Sequence, residues 1–173
     1  MPPPSDADLT TMLMQVAHAI DMVNHLPDPD RWTADRLDSF VAEGNELRLL
    51  QHAARESWAM NARLLSQFFV GDKHGLEAKD YLQSWQVDES AVLGTWRSVS
   101  SEHVAHLSPR RALDPVRPLS ADERRQVVDA VNREANRFAT ALDDAEDRDW
   151  GRTMRSYLAG LGLLAGGAPP AVR

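Results

Sequence analysis

The amino-acid sequence predicts an all-α protein, a single-domain helical bundle of four main helices with one or two short ones. Apolar residues recur every three to four positions over long segments, which is the spacing of one helix face. No run alternates apolar and polar residues with the two-residue period of a strand, and β-branched residues are sparse. The segments that carry the helical spacing are 8–26, 33–70, 88–107 and 120–145.

The first two segments are separated by the prolines of "LPDPD", which remove backbone donors and clash with the preceding turn. The second segment is unusually long and contains Gly44. Two readings therefore stay open, either two helices or one helix kinked at the glycine. We expect one broad face of this segment to form core. That face comprises Phe40, Leu47, Leu50, Ala54, Trp58, Leu65 and Phe68.

The later helices are predicted from periodicity and capping signals. A short helix is expected over 76–85, and a longer one over 88–107. Ser120, followed three residues later by Glu123, is a capping-box signature at the start of the next helix. Its apolar face comprises Val127 or Val128, Val131, Ala135, Phe138 and Leu142.

The last predicted helix, 149–164, runs into the stretch "YLAGLGLLAGG". Gly160 and Gly162 each lower helix propensity by up to ~1 kcal/mol. Glycine is tolerated at this cost where helix backbones approach closely. We therefore expect the stretch to be buried against the rest of the protein or against a second copy. The low-complexity ends complete the predicted organisation: a flexible N-terminus over 1–7, the bundle over 8–165 and a flexible tail over 166–173.

Composition narrows the function. The chain has 173 residues, a formal net charge of -7 and no cysteine. The acidic balance argues against passive binding to nucleic acid or an anionic membrane. Disulfides and thiolate metal sites are excluded, and the N-terminal residues lack a signal-peptide pattern. We therefore expect a cytoplasmic protein with no membrane segment and no DNA partner.

The histidines offer pairs but no metal motif. His103 and His106 are three apart, and His52 precedes Glu56 by four. The Glu-x-x-His repeats of di-iron bundles and the His-Glu-x-x-His motif are both absent. No metal or cofactor is predicted, although a histidine and carboxylate site for a metal or small ligand stays open as an alternative.

The segment 33–70 also carries a polar stripe opposite its core face. Five polar residues fall within about 60° of one another on a helical wheel. The stripe is either a solvated face or a polar contact with another helix, in which Glu56 and Arg63 form a pair. Its members are Asn45, His52, Glu56, Arg63 and Gln67.

Two blocks, "ESWAMNARLLSQFF" (56–69) and "SSEHVAHLSPRR" (100–111), resemble a group of uncharacterised bacterial helical proteins. In that group a Glu-Ser helix ends in Phe-Phe, and an Ala-His-Leu turn with an arginine follows later. The resemblance implies one polar cluster of Glu56, Arg63, His106 and Arg110 between the second and fourth helices.

The second block also resembles the histidine motif of HEPN domains, which are small helical bundles. Arg97, Ser98 and His103 match the order and spacing of that motif, while "VAHL" places His106 at the usual histidine position. The resemblance implies a metal-independent endoribonuclease in which arginine and histidine from two protomers meet. RNA would then be the substrate.

The sequence therefore leads to three functional hypotheses. The first is an interaction or regulatory module of unassigned activity, which forms a homo-oligomer or binds a protein partner. The second is the HEPN-type endoribonuclease with Arg97, His103 and His106 as catalytic residues. The third is the histidine and carboxylate site. An enzyme needs its polar groups to converge in a pocket, whereas a binding module needs an exposed apolar patch.

Overall fold

A computed structural model describes residues 5–26, 44–71, 75–103, 120–145 and 150–164, and for 44–48 and 100–103 it describes the backbone alone. These residues form helices and no strand, which confirms the predicted all-α class. Residues 33–43 and 104–119 lie outside the described ranges, so the question of one helix or two before Gly44 stays open. The helices are α1 (Asp6–His25), α2 (Gly44–Val70), α3 (Ala78–Tyr81), α4 (Ser90–His103), α5 (Ala121–Asp144) and α6 (Trp150–Gly160).

Two of the long helices begin at capping boxes. Ser120 and Glu123 cap α5 as predicted, each side chain bonding the backbone N–H of the other residue. Ser5 and Asp8 do the same for α1, which therefore begins at Asp6, two residues before its predicted start. The hydrogen bond from the Ser5 side chain lowers the pKa of the Asp8 carboxyl.

The core lies where α1, α2, α4 and α5 meet, with α6 packed on α5. Each fully buried large apolar side chain contributes roughly 1.5–3 kcal/mol. Ala54, Trp58, Leu65 and Phe68 are buried as predicted, but Leu50 is 42% exposed. The prediction for Leu50 was wrong because it lies near the start of α2, where no described helix covers it.

Buried aromatic rings fill one end of the core and tie the segment after α2 to the bundle. The Trp85 indole N–H donates to the Phe69 carbonyl, and the Tyr81 hydroxyl donates to the Leu9 carbonyl. Both polar groups are thereby satisfied where water is excluded. Burial raises the pKa of the Tyr81 hydroxyl. The contacting rings of this cluster are Phe68, Phe69, Tyr81, Trp85, Phe138 and Trp150.

The glycines of the last helix have roles that differ from the predicted one. Gly162 has a φ of 70°. Its N–H bonds the Ala159 carbonyl and the Leu163 N–H bonds the Leu158 carbonyl, which is the Schellman motif. Among the described residues, no atom outside its own helix backbone and chain neighbours lies within 4 Å of a Cβ placed on Gly160. The expected close approach within the chain is thus wrong for Gly160.

The close backbone approach occurs instead at Gly151, in the first turn of α6. A Cβ at this position would lie 2.4 Å from the backbone nitrogen of Asp143 on α5. Backbone atoms cannot yield as a flexible side chain can, so any larger residue forces the helices apart. Gly151 therefore sets the distance between α5 and α6.

A buried carboxylate attaches α4 to α5. Glu134 is fully buried on α5, in the middle of its apolar face. Its Oε1 accepts the backbone N–H groups of Asp88 and Glu89, each at 2.7 Å. Those N–H groups belong to the two residues directly before α4, at the helix end that lacks internal acceptors and favours negative charge. Glu134 thus caps α4 from a different helix.

Two arginines complete this Glu134 network, which we define as Glu134, Arg133, Arg137, Asp88 and Glu89. Arg137 Nη1 donates to Glu134 Oε2 at 2.6 Å and its Nε lies 3.0 Å from Asp88 Oδ2. Arg133 bonds the Glu89 carboxylate. The buried carboxylate is therefore both paired with a cation and hydrogen-bonded at each oxygen, as such burial requires.

We predict that Glu134→Ala lowers the free energy of unfolding by about 3–5 kcal/mol. The change leaves the N–H groups of Asp88 and Glu89 without their acceptor and removes one of the acceptors of Arg137. Glu134→Gln keeps an acceptor for the N–H groups and should cost less. Chemical denaturation measures both, with the exposed Asp129→Ala on the same helix as a control expected within about 0.5 kcal/mol of the parent. Equal losses in Glu134→Ala and Asp129→Ala would contradict this role.

We also predict a defined pH response of the Glu89–Arg133 pair. The hydrogen bond from Arg133 lowers the pKa of Glu89. A carboxyl whose pKa falls on folding stabilises the protein above its unfolded pKa, and this contribution is lost as pH falls through the folded value. Arg133→Gln should raise the Glu89 pKa in an NMR titration and flatten the acid limb of the stability curve. An unchanged Glu89 titration would show that the pair has no electrostatic effect.

Candidate functional site

Two members of the polar stripe predicted on the second segment, His52 and Glu56, lie at the surface of α2. His52 Nδ1 and Glu56 Oε1 are 3.9 Å apart, with side chains 69% and 62% exposed. A pair this exposed contributes little to stability. Glu56 is therefore available to solvent or to a partner, and the described helices do not bury it.

Arg63 lies about two turns further along α2 than Glu56 and is half-buried. Its Nε is buried and has no hydrogen-bond partner among the described residues. The structure thus leaves one donor of this guanidinium unused. The proposed pairing of Arg63 and Glu56 with His106 and Arg110 stays a prediction, because His106 and Arg110 lie outside the described residues.

Arg97, the arginine of the HEPN-like motif, is half-buried on α4. Its Nη1 donates to the carbonyl of Gly71, just past the end of α2. A cation bonded to a carbonyl at a helix C-terminus is a stabilising arrangement. The backbone of His103 ends α4, but its side chain is not described. Convergence of Arg97 with His103 or His106 accordingly stays a prediction.

The described residues provide little else for catalysis or metal binding. They contain no group of three histidine or acidic side chains placed to hold a metal ion. Ser66 is buried and its hydroxyl donates to the Ala62 carbonyl within α2. A hydroxyl committed to its own helix has no base to activate it.

The strongest surface feature is apolar and lies on the same helix. Four large apolar side chains are exposed in the described residues, and three of them are on α2: Leu49 at 74%, Met60 at 48% and Leu50 at 42%. Leu49, Ala53, Glu56 and Met60 follow each other at steps of four, three and four residues. That spacing places them on one side of a helix. We call these four residues the outer face of α2.

The sequence analysis missed Leu49 and Met60, although a signal was present. Both residues fall among the polar positions of the stripe, where a large apolar side chain has no structural use in a solvated helix. The prediction considered only the polar residues of the stripe and therefore omitted these two. The outer face of α2 is thus a mixed surface, with an apolar line beside His52 and Glu56.

Comparisons with known proteins assign no function to the chain, so its function is inferred from its own surface. No family model, curated protein or solved structure matches the chain. None of the described helices has the length and apolar character needed to cross a membrane.

Proposed function

We propose that the protein is a non-catalytic interaction module whose docking surface is the outer face of α2. The observation that supports this proposal most directly is Leu49, a leucine with 74% of its surface exposed on a regular helix. Its burial against a partner would contribute roughly 1.5–3 kcal/mol. A cytoplasmic location, expected from the composition, belongs to the same proposal.

The partner that best fits the outer face is a second copy of the chain, bound in antiparallel orientation. The face is symmetric about a midpoint between Ala54 and Arg55. Under a two-fold axis at that midpoint, Leu49 of each copy lies opposite Met60 of the other. An isologous interface needs such self-complementarity, and the small Ala53 near the centre permits the helices to approach.

Charge favours the same arrangement. Each chain carries a formal net charge of -7, so two copies meet at the lowest electrostatic cost on a face with few acidic residues. Glu56 of one copy then lies opposite Ala53 and beside His52 of the other. A protonated imidazole would complement the carboxylate across the interface, as it would within one helix, where the two groups are 3.9 Å apart.

We predict that the protein dimerises through this face. Sedimentation equilibrium from about 1 µM to 1 mM should show a dimer, and Met60→Gln and Leu49→Gln should each weaken it at least about tenfold. Met14→Gln is the matched control, since Met14 is 53% exposed on α1, away from the outer face of α2. A monomer throughout this range, or equal effects of Met14→Gln and Met60→Gln, would refute self-association through α2.

Introduced cysteines distinguish the orientation, because the chain has no native cysteine. Residues 49 and 60 are separated by about 16 Å along one helix, too far for an intrachain disulfide. The antiparallel pairing predicts that the double variant Leu49→Cys, Met60→Cys forms a covalent dimer while each single variant does not. Covalent dimers of both single variants would indicate a parallel pair instead.

A further inference from the structure

A groove lies between α5, α6 and the loop that follows α3. Its volume is about 910 Å³, within the range of small-molecule sites. Apolar and cationic side chains line it together, among them Leu82, Trp85, Arg137, Ala141, Arg155 and Leu164.

Both walls of the groove are held by hydrogen bonds to side chains of α5. Arg137 Nη2 donates to the Gln86 carbonyl at 3.1 Å, and its guanidinium lies over the Trp85 ring at 5.0 Å. Asn136 Nδ2 donates to the Leu163 carbonyl at 2.8 Å, which fixes the chain beside Leu164. The groove is therefore formed before any ligand arrives, so binding requires little ordering of the protein.

The two arginines differ in what they can offer a ligand. Arg137 already bonds Asp88, Glu134 and the Gln86 carbonyl. Arg155 has one ion-pair contact, from Nη2 to Asp143 Oδ2 at 2.9 Å, and its Nε is buried without a hydrogen-bond partner among the described residues. A guanidinium has five N–H donors. The Arg155 side chain is 41% exposed, so its outer N–H groups are the donors that an anion in the groove can reach.

We propose that this groove binds a small organic monoanion with an apolar body. The anionic group, a carboxylate or sulfonate, would bond the outer N–H groups of Arg155. The apolar body would lie against Leu82, Ala141 and Leu164. Asp144 also lines the groove, and its carboxylate disfavours ligands of higher negative charge such as phosphate monoesters.

The probe for this site is 1-anilinonaphthalene-8-sulfonate, an aromatic monoanion, titrated by fluorescence and mapped by NMR chemical shifts on the full chain. Saturable binding is expected, with shifts at residues of α5 and α6. Arg155→Gln should weaken it at least about tenfold. Arg152→Gln, an exposed arginine on the same helix, is the matched control and should leave binding unchanged.

Two further variants keep the test decisive if Arg155→Gln perturbs folding. Thr140→Trp places a ring into the groove from an exposed position and should abolish binding. Asp144→Asn removes the competing carboxylate and should tighten binding severalfold. Absence of saturable binding, equal binding by Arg155→Gln and Arg152→Gln, or sensitivity to Met60→Gln in place of Arg155→Gln would overturn the proposal. None of these outcomes depends on whether the protein dimerises.

Discussion

The fold depends on one buried carboxylate. Glu134 lies where an apolar side chain would be expected on α5, and it accepts the N–H groups of the two residues directly before α4. Removing charge from water is costly unless attraction and hydrogen bonds compensate it. Here the helix N-terminus and the Arg137 guanidinium both provide compensation. Because the acceptor belongs to α5, the hydrogen bonds at the start of α4 depend on the packing of α4 against α5.

The same contacts also explain why the groove has its shape before any ligand binds. Arg137 joins Glu134 to the Gln86 carbonyl and lies over Trp85, so the loop between α3 and α4 is fixed in position by the same residues that cap α4. The groove is a consequence of that loop position. The outer face of α2 is different in kind, since no described helix packs on its apolar line. The proposed partner would give a physical reason for that line to be apolar.

Local rules predicted most of the fold. The class, the start of α5 and the apolar face of that helix follow from the capping box and the periodicity of Val131, Phe138 and Leu142, and they are confirmed. The start of α1 was misplaced because the capping box at Ser5 was not recognised. Gly162 was assigned to packing, whereas a positive φ explains it.

The candidate sites were harder to predict, because they depend on contacts between distant residues. Glu134 had a sequence signal, since it stands between Val131 and Phe138 at the centre of an apolar stripe. Its partners, 45 and 46 residues earlier in the chain, had none. The exposure of Leu49 likewise depends on how helices are placed around α2. Periodicity cannot distinguish a face that packs within the chain from one that packs on a partner.

Amide hydrogen exchange tests the central role of Glu134 most directly. Asp88 and Glu89 precede the first residue of α4, where amides of an uncapped helix would exchange rapidly. The Glu134 carboxylate should protect both amides nearly as well as the core of α5. In Glu134→Ala that protection should disappear at Asp88 and Glu89 while the centre of α5 exchanges more slowly than they do. Rapid exchange of both amides in the parent protein would contradict the account.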